Sequence, residues 1–192
     1  TFVLFIADHG ESIEEHGYVG HGRRIYQTSQ HIPFMIAGPG VAAGRSDAPV
    51  RGVDLAPTLL GMAGIPIPNT MRGRDVLNDE IPAERVRVME TYGGAVPNLK
   101  VTKSLMADRP PQRQSVTHKG WKLIVGGPED ELYHVAEDPM ELQNVHDTEV
   151  AVATELHAIL KQWDETTPRN MDNDAHLSDE DIDALESLGY VE

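Results

Sequence analysis

Apolar and polar positions along this chain fall into short runs, and each run predicts an element. The chain opens on Phe2-Val3-Leu4-Phe5-Ile6-Ala7, an unbroken apolar run stopped by Asp8, His9 and Gly10. A run without apolar–polar alternation predicts a strand covered on both faces, as in a parallel α/β sheet. Residues 33–37 form a second apolar run closed by Gly38-Pro39-Gly40, a strand followed by a turn. Asp54 is placed to cap a helix that has Pro57 in its first turn and Gly64 at its end, with Leu55, Leu59, Leu60 and Ala63 as the expected buried stripe. Beyond it, Pro66 and Pro68 start a loop that holds Arg72-Gly73-Arg74, and residues 86–90 alternate like a strand. Trp121 to Val125 and Glu131 to Val135 flank Gly126-Gly127-Pro128, which predicts an antiparallel hairpin packed by Trp121 and Tyr133. From Thr148 onward, Val152, Leu156, Ile159, Leu160 and Trp163 recur at helical spacing and make one apolar face. Residues 164–177 read as a polar linker, and a last short helix is expected from Ser178 to Gly189.

A covered strand as the first element is unusual, so the pattern predicts a C-terminal segment of a longer protein, cut just before a central strand. Charge sharpens the division. The 192 residues carry a net charge of −15; residues 1–128 stand near +2 and residues 129–192 near −17. An acidic chain with no basic cluster is a poor match for a row of phosphates, which excludes a general nucleic-acid binder. No apolar run is long enough to insert in a bilayer. Zero cysteines exclude disulfides, thiolate metal sites and a cysteine nucleophile within these residues, and leave the compartment undetermined.

The chemistry gathers at Ala7-Asp8-His9-Gly10-Glu11, the end of the first strand. Ligands of open α/β sheets bind beyond the carboxyl ends of strands. Neighbouring strand residues point to opposite faces, so Asp8 and His9 can share an ion only if the backbone turns, which Gly10 permits. A carboxylate with an imidazole suits Mn²⁺ or Zn²⁺, whereas Ca²⁺ prefers oxygens alone. By residue type alone the triplet fits a metal site or a structural loop equally. Glu11 and His16 in the same loop read as supporting or surface groups, Arg23 and Arg24 as solvent-facing or steering cations, and His31 as structural. The acidic run from Asp172 to Glu186 lacks the central glycine and the spacing of a calcium loop.

Longer matches give these pieces an order. Ile6-Ala7-Asp8-His9-Gly10-Glu11, His16-Gly17, His21-Gly22, Ile32-Pro33-Phe34-Met35-Ile36, Val53-Asp54-Leu55-Ala56-Pro57-Thr58, Trp121-Lys122-Leu123-Ile124, Asp138-Pro139-Met140-Glu141 and Leu185-Glu186-Ser187-Leu188-Gly189-Tyr190 together resemble the C-terminal half of the sulfatase family, in the alkaline-phosphatase-like superfamily. The resemblance implies an α/β fold: the back half of a sheet domain over residues 1–115, a small hairpin-plus-helix subdomain over 116–163, and an acidic tail over 164–192. It also implies roles. Asp8 and His9 fall where the family ligates a divalent metal, Ca²⁺ by resemblance. His21 falls near a position, thirteen residues past that Asp, where many relatives contact the anionic group with Lys or His. The family's nucleophile is a formylglycine made in an upstream Cys-x-Pro-x-Arg motif that these residues lack, so this segment by itself is expected not to turn over a sulfate ester. The implied substrate is a small-molecule or carbohydrate sulfate ester, and relatives are often periplasmic or secreted. A phosphodiester or phosphonate monoester hydrolase of the same superfamily, or a non-catalytic binding module on this fold, are the rival expectations.

Overall fold

The computed structural model describes residues 1–92 and 112–167. The helix expected from Ser178 and the acidic run from Asp172 lie outside the described residues. In chain order the elements are β1 (Val3–Ile6), β2 (Ser12–Ile13), β3 (Val19–Gly20), α1 (Gln27–Gln30), β4 (Phe34–Ala37), α2 (Leu55–Met62), β5 (Arg87–Thr91), β6 (Arg113–His118), β7 (Trp121–Val125), β8 (Glu131–His134) and α3 (Val150–Thr166), which continues three residues past Trp163. β1 pairs with β4, β2 with β3, and β5 to β8 form an antiparallel meander in sequence order. This meander runs across residues 115 and 116, because β6 bonds to β5 on one side and to β7 on the other.

Period-2 geometry explains the packing of the meander. Val116, Leu123 and Leu132 are paired neighbours across β6, β7 and β8, so their side chains form one row on one face. Ala153, Leu156 and Leu160 of α3 cover that row, and all six residues are buried. On the opposite face Ile124 and Tyr133 meet Ile25 and Tyr26 from the segment that leads into α1. β7 is therefore covered on both sides, which is the physical reason Leu123, Ile124 and Val125 follow one another without apolar–polar alternation. The expected β7–β8 hairpin is present, with Trp121 stacked on His134 at a centroid distance of 4.3 Å.

Three expectations are corrected. Within these residues β1 is covered on one face only: Val3 and Phe5 are 58% and 54% exposed, and its pairing with β4 is antiparallel. The register aligns Phe5 with Met35 on the open face, while Leu4, Ile6, Phe34 and Ile36 share the half-buried face. An apolar run records that a strand tolerates burial; it does not record how many faces its neighbours cover. In α2 the expected stripe is replaced by Pro57 and Thr58 as the buried residues, and Leu59 is 45% exposed. The loop of residues 72–79 covers that polar side: Thr58 Oγ1 donates to the Asp54 carbonyl at 2.6 Å and accepts the Val76 N–H at 3.1 Å.

Asp54 is corrected in the same region. It stands at the start of α2 and makes no capping bond to that helix, although its carboxylate closes a capping box with the Arg51 amide on the 3-10 turn of residues 52–54 that leads into it. Its carboxylate is fully buried and accepts a bidentate pair from Arg85 at 2.6 and 2.8 Å, together with the Arg51 and Arg74 amides at 2.8 and 2.9 Å. A guanidinium fork outcompetes the helix amides because two charge-assisted bonds are stronger than one bond to a neutral donor.

Candidate metal and anion site at the end of β1

β1 ends at Ile6, and the chain then turns through Asp8, His9 and Gly10 against the backbone of α1. The Gly10 N–H donates to the Ser29 carbonyl at 3.0 Å, and a Cβ on Gly10 would lie 2.0 Å from the Thr28 carbonyl oxygen. Glycine is required here by close approach of two backbones, not only by the freedom to turn. Gly10→Ala is expected to force the loop off α1 and to lower stability by about 1–3 kcal/mol, measured by urea denaturation. An unchanged midpoint would contradict this contact.

The turn brings His9, Glu11 and His21 together, each offering a ligand atom within 4.8 Å of the others, all three exposed. The His9 and His21 rings stack, with centroids 3.9 Å apart and planes at 24°. Both rings have their Nδ1 fixed by oxygens. His9 Nδ1 lies 2.8 Å from the Gly10 carbonyl, and His21 Nδ1 lies 2.9 Å from Glu11 Oε2. A carbonyl and a carboxylate can only accept, so each Nδ1 carries its proton, and Nε2 of the neutral ring is left with a lone pair for a cation. Glu11 orients an imidazole in the way that carboxylates hold metal-binding histidines.

Asp8 completes the corner. Its Oδ1 accepts the His9 amide at 2.9 Å, and its Oδ2 faces His9 Nε2 at 3.6 Å. The His9 amide, then the Asp8 amide, then charge on His9 hold the Asp8 carboxyl below its ordinary value. The sequence expectation paired Asp8 with His9 and treated His21 separately; the fold stacks His21 on His9 and adds Glu11 to the set. The spacing of Glu11 to His21 carried no periodic signal, since the contact closes through the β2–β3 hairpin.

The loop between β1 and α1 is tied to the meander. His16 has left-handed backbone (φ 54°), stacks on Tyr26 at 3.6 Å, and its Nε2 lies 3.1 Å from the Met140 carbonyl. Tyr26 and Tyr133 both donate to Glu131 Oε2, at 2.6 and 2.7 Å, and Thr91 of β5 donates to the Gly22 carbonyl. Burial first, then the Glu131 carboxylate, pushes the Tyr26 hydroxyl up to about 12, so it remains a donor throughout the neutral range. His16 is thus a packing group; Arg23 is exposed and Arg24 half-buried.

With this geometry in hand, comparison with known proteins gives a consistent result. A family described as N-sulphoglucosamine sulphohydrolase, C-terminal, matches residues 14–166. Arylsulfatase K of Xenopus laevis is 29% identical over 150 residues, covering 76% of this chain and 28% of that protein. A protein solved in complex with its substrate D-glucosamine-2-N,6-O-disulfate is 23% identical, with a TM-score of 0.59, covering 91% of this chain and 35% of that one. The phosphonate monoester hydrolase of Agrobacterium radiobacter is 19% identical, with a TM-score of 0.61, covering 85% of this chain and 34% of that one. The chain spans about a third or less of the length of each of these proteins, and the two structures share its fold.

Proposed function

This chain belongs to the sulfatase family, matching the N-sulphoglucosamine sulphohydrolase C-terminal family over residues 14–166, and from that premise we propose that it supplies part of the metal and anion site of a sulfate-ester hydrolase. The substrate class is a small-molecule or carbohydrate sulfate ester. The observation that carries this reading is the convergence of His9, Glu11 and His21 beside Asp8 at the end of β1.

Asp8 and His9 are the ligands in this reading, and His21 contacts the anionic group. A divalent ion bound there supplies Lewis-acid stabilisation of the charge that develops on the transferring group. The two ligands fit a borderline ion better than a hard one: one carboxylate with one imidazole suits Mn²⁺ or Zn²⁺, while Ca²⁺, the ion the family resemblance implies, prefers oxygens alone. Glu11 holds His21 so that Nε2 points away from the carboxylate; protonated, that ring becomes an N–H donor for a sulfuryl oxygen. The nucleophile expected for the family is a formylglycine made from cysteine, and these residues contain no cysteine.

The likeness to the phosphonate monoester hydrolase and the imidazole-rich set support a second reading, phosphoryl or phosphonyl ester hydrolysis at the same corner. Two measurements test the proposal. Residues 1–192 alone are expected to leave an aryl sulfate intact with any divalent ion, and metal-dependent turnover by them would overturn the assignment of the nucleophile. In the complete protein, His9→Ala is expected to lower kcat/KM for the aryl sulfate by at least about a hundredfold, or ~2.7 kcal/mol. Full activity in that variant would remove His9 from the site, and preference for a phosphonate monoester over the sulfate would select the second reading.

A further inference from the structure

A second group of metal-binding side chains lies away from the β1 site, where β8, the loop after it and α3 meet. Asp130 immediately precedes β8, His146 stands in the loop, and His157 is on α3; each offers one ligand atom within 4.8 Å of the others. His157 Nε2 is 3.3 Å from Asp130 Oδ2, and the two imidazoles approach edge to face with centroids 6.0 Å apart. His146 and His157 line an open hollow of about 410 Å³.

The backbone that carries these residues is fixed in advance. Asn144 Oδ1 accepts the N–H groups of Leu132 and His146, both at 3.0 Å, and Asn144 Nδ2 donates to the Asp130 carbonyl at 3.3 Å. One amide side chain thus holds the Asp130 turn and the His146 loop in a set relation. His146 Nδ1 lies 3.2 Å from Asp147 Oδ1. A carboxylate only accepts, so that nitrogen keeps its proton and Nε2 is left free to bind an ion, the arrangement carboxylates impose on zinc-bound histidines.

We propose that Asp130, His146 and His157 bind a divalent transition ion, Zn²⁺, with water in the fourth position, and that the ion fastens α3 to the turn before β8. Two imidazoles and one carboxylate make a donor set typical of this ion. Bonds of about 2.0–2.1 Å at tetrahedral angles need donors ~3.4 Å apart, a separation that Asp130 and His157 already have. Side-chain rotation at the partly exposed His146 brings in the third.

The experiment uses the 192-residue chain with Co²⁺ alone as an optical probe, then Zn²⁺ alone in thermal melts. Co²⁺ is expected to give the intense visible band of a tetrahedral site, displaced by Zn²⁺. His9→Ala/His21→Ala keeps the band; His146→Ala/His157→Ala loses it while the far-ultraviolet circular dichroism stays unchanged. Asp147→Asn, at a fully exposed carboxylate that carries no packing, weakens Zn²⁺ binding by about tenfold. At roughly a hundredfold excess over Kd, Zn²⁺ raises Tm by about 5–10 °C, and this rise is absent in the His146/His157 variant. A band that survives in that variant, a band lost with His9 and His21, or no tetrahedral band at all would each overturn the proposal.

Discussion

Replacing Lys122 by alanine is expected to lower the unfolding free energy by about 3–5 kcal/mol. Lys122 is completely buried on β7, and its Nζ donates to Glu141 Oε1 at 2.6 Å, with Glu141 itself 1% exposed at the side chain. Burial pulls the ammonium down to about 8, and the Glu141 carboxylate keeps it from falling further. Without Lys122 the carboxylate is left in the interior with one partner among the described residues, the Gln27 N–H at 2.6 Å. Glu141 also stands at φ 56°, a left-handed conformation that persists only where its surroundings impose it. The loss should therefore reach beyond β7. Glu141 holds the first residue of α1, and α1 backs Gly10 through the Ser29 carbonyl, so the variant is expected to loosen the β1 loop as well as the meander. Urea denaturation of the single variant and of Lys122→Met/Glu141→Leu separates the causes. The double variant should recover much of the loss, because an apolar pair leaves no buried charge. A single-variant loss under about 1 kcal/mol would mean that water reaches the pair.

Asp54→Ala is expected to cost a similar amount, about 3–5 kcal/mol, because it strands the Arg85 guanidinium, 7% exposed at the side chain, and two backbone amides. This pair also makes stability depend on pH. Burial alone would raise the Asp54 carboxyl, but the Arg85 bonds and the two amides outweigh it and hold the carboxyl below its ordinary 3.8. The folded state therefore binds fewer protons than the unfolded chain in the interval below 3.8, and stability rises with pH there. The contribution of Asp54 is fully present above that value and is lost as pH falls through the depressed folded value. Urea melts of the protein and of Asp54→Asn should differ most near neutral pH and converge in strong acid. A gap that stays constant with pH would show that the charge on Asp54 is irrelevant to stability.

Much of the fold was legible because it rests on local pattern. The β7–β8 hairpin follows from two short segments rich in strand-forming residues about a Gly-Gly-Pro turn, and α3 from the spacing of Val152 to Trp163, which supplies Leu156 and Leu160 to the core. Where pattern failed, long-range polar contacts had decided. The stripe on α2 gave way to Thr58 because residues 72–79 return to bond it, and the Asp54 carboxylate serves Arg85, from 31 residues away, instead of the amides of α2. Neither partner leaves a periodic trace.

At the site, the sequence alone determined which chemistry was available: a carboxylate and an imidazole at the end of a strand, with glycine at the turn. Their order and the motifs around them marked the sulfatase resemblance. Tertiary structure decided the membership of the set. His21 stacks on His9 and Glu11 orients His21 because the β2–β3 hairpin folds that stretch back on itself, and Asp130, His146 and His157 meet only because a sheet, a loop and a helix pack together. Residue type fixes what an atom can bind, whereas the distance between donors far apart in sequence is set by packing of the intervening chain, which no local pattern encodes.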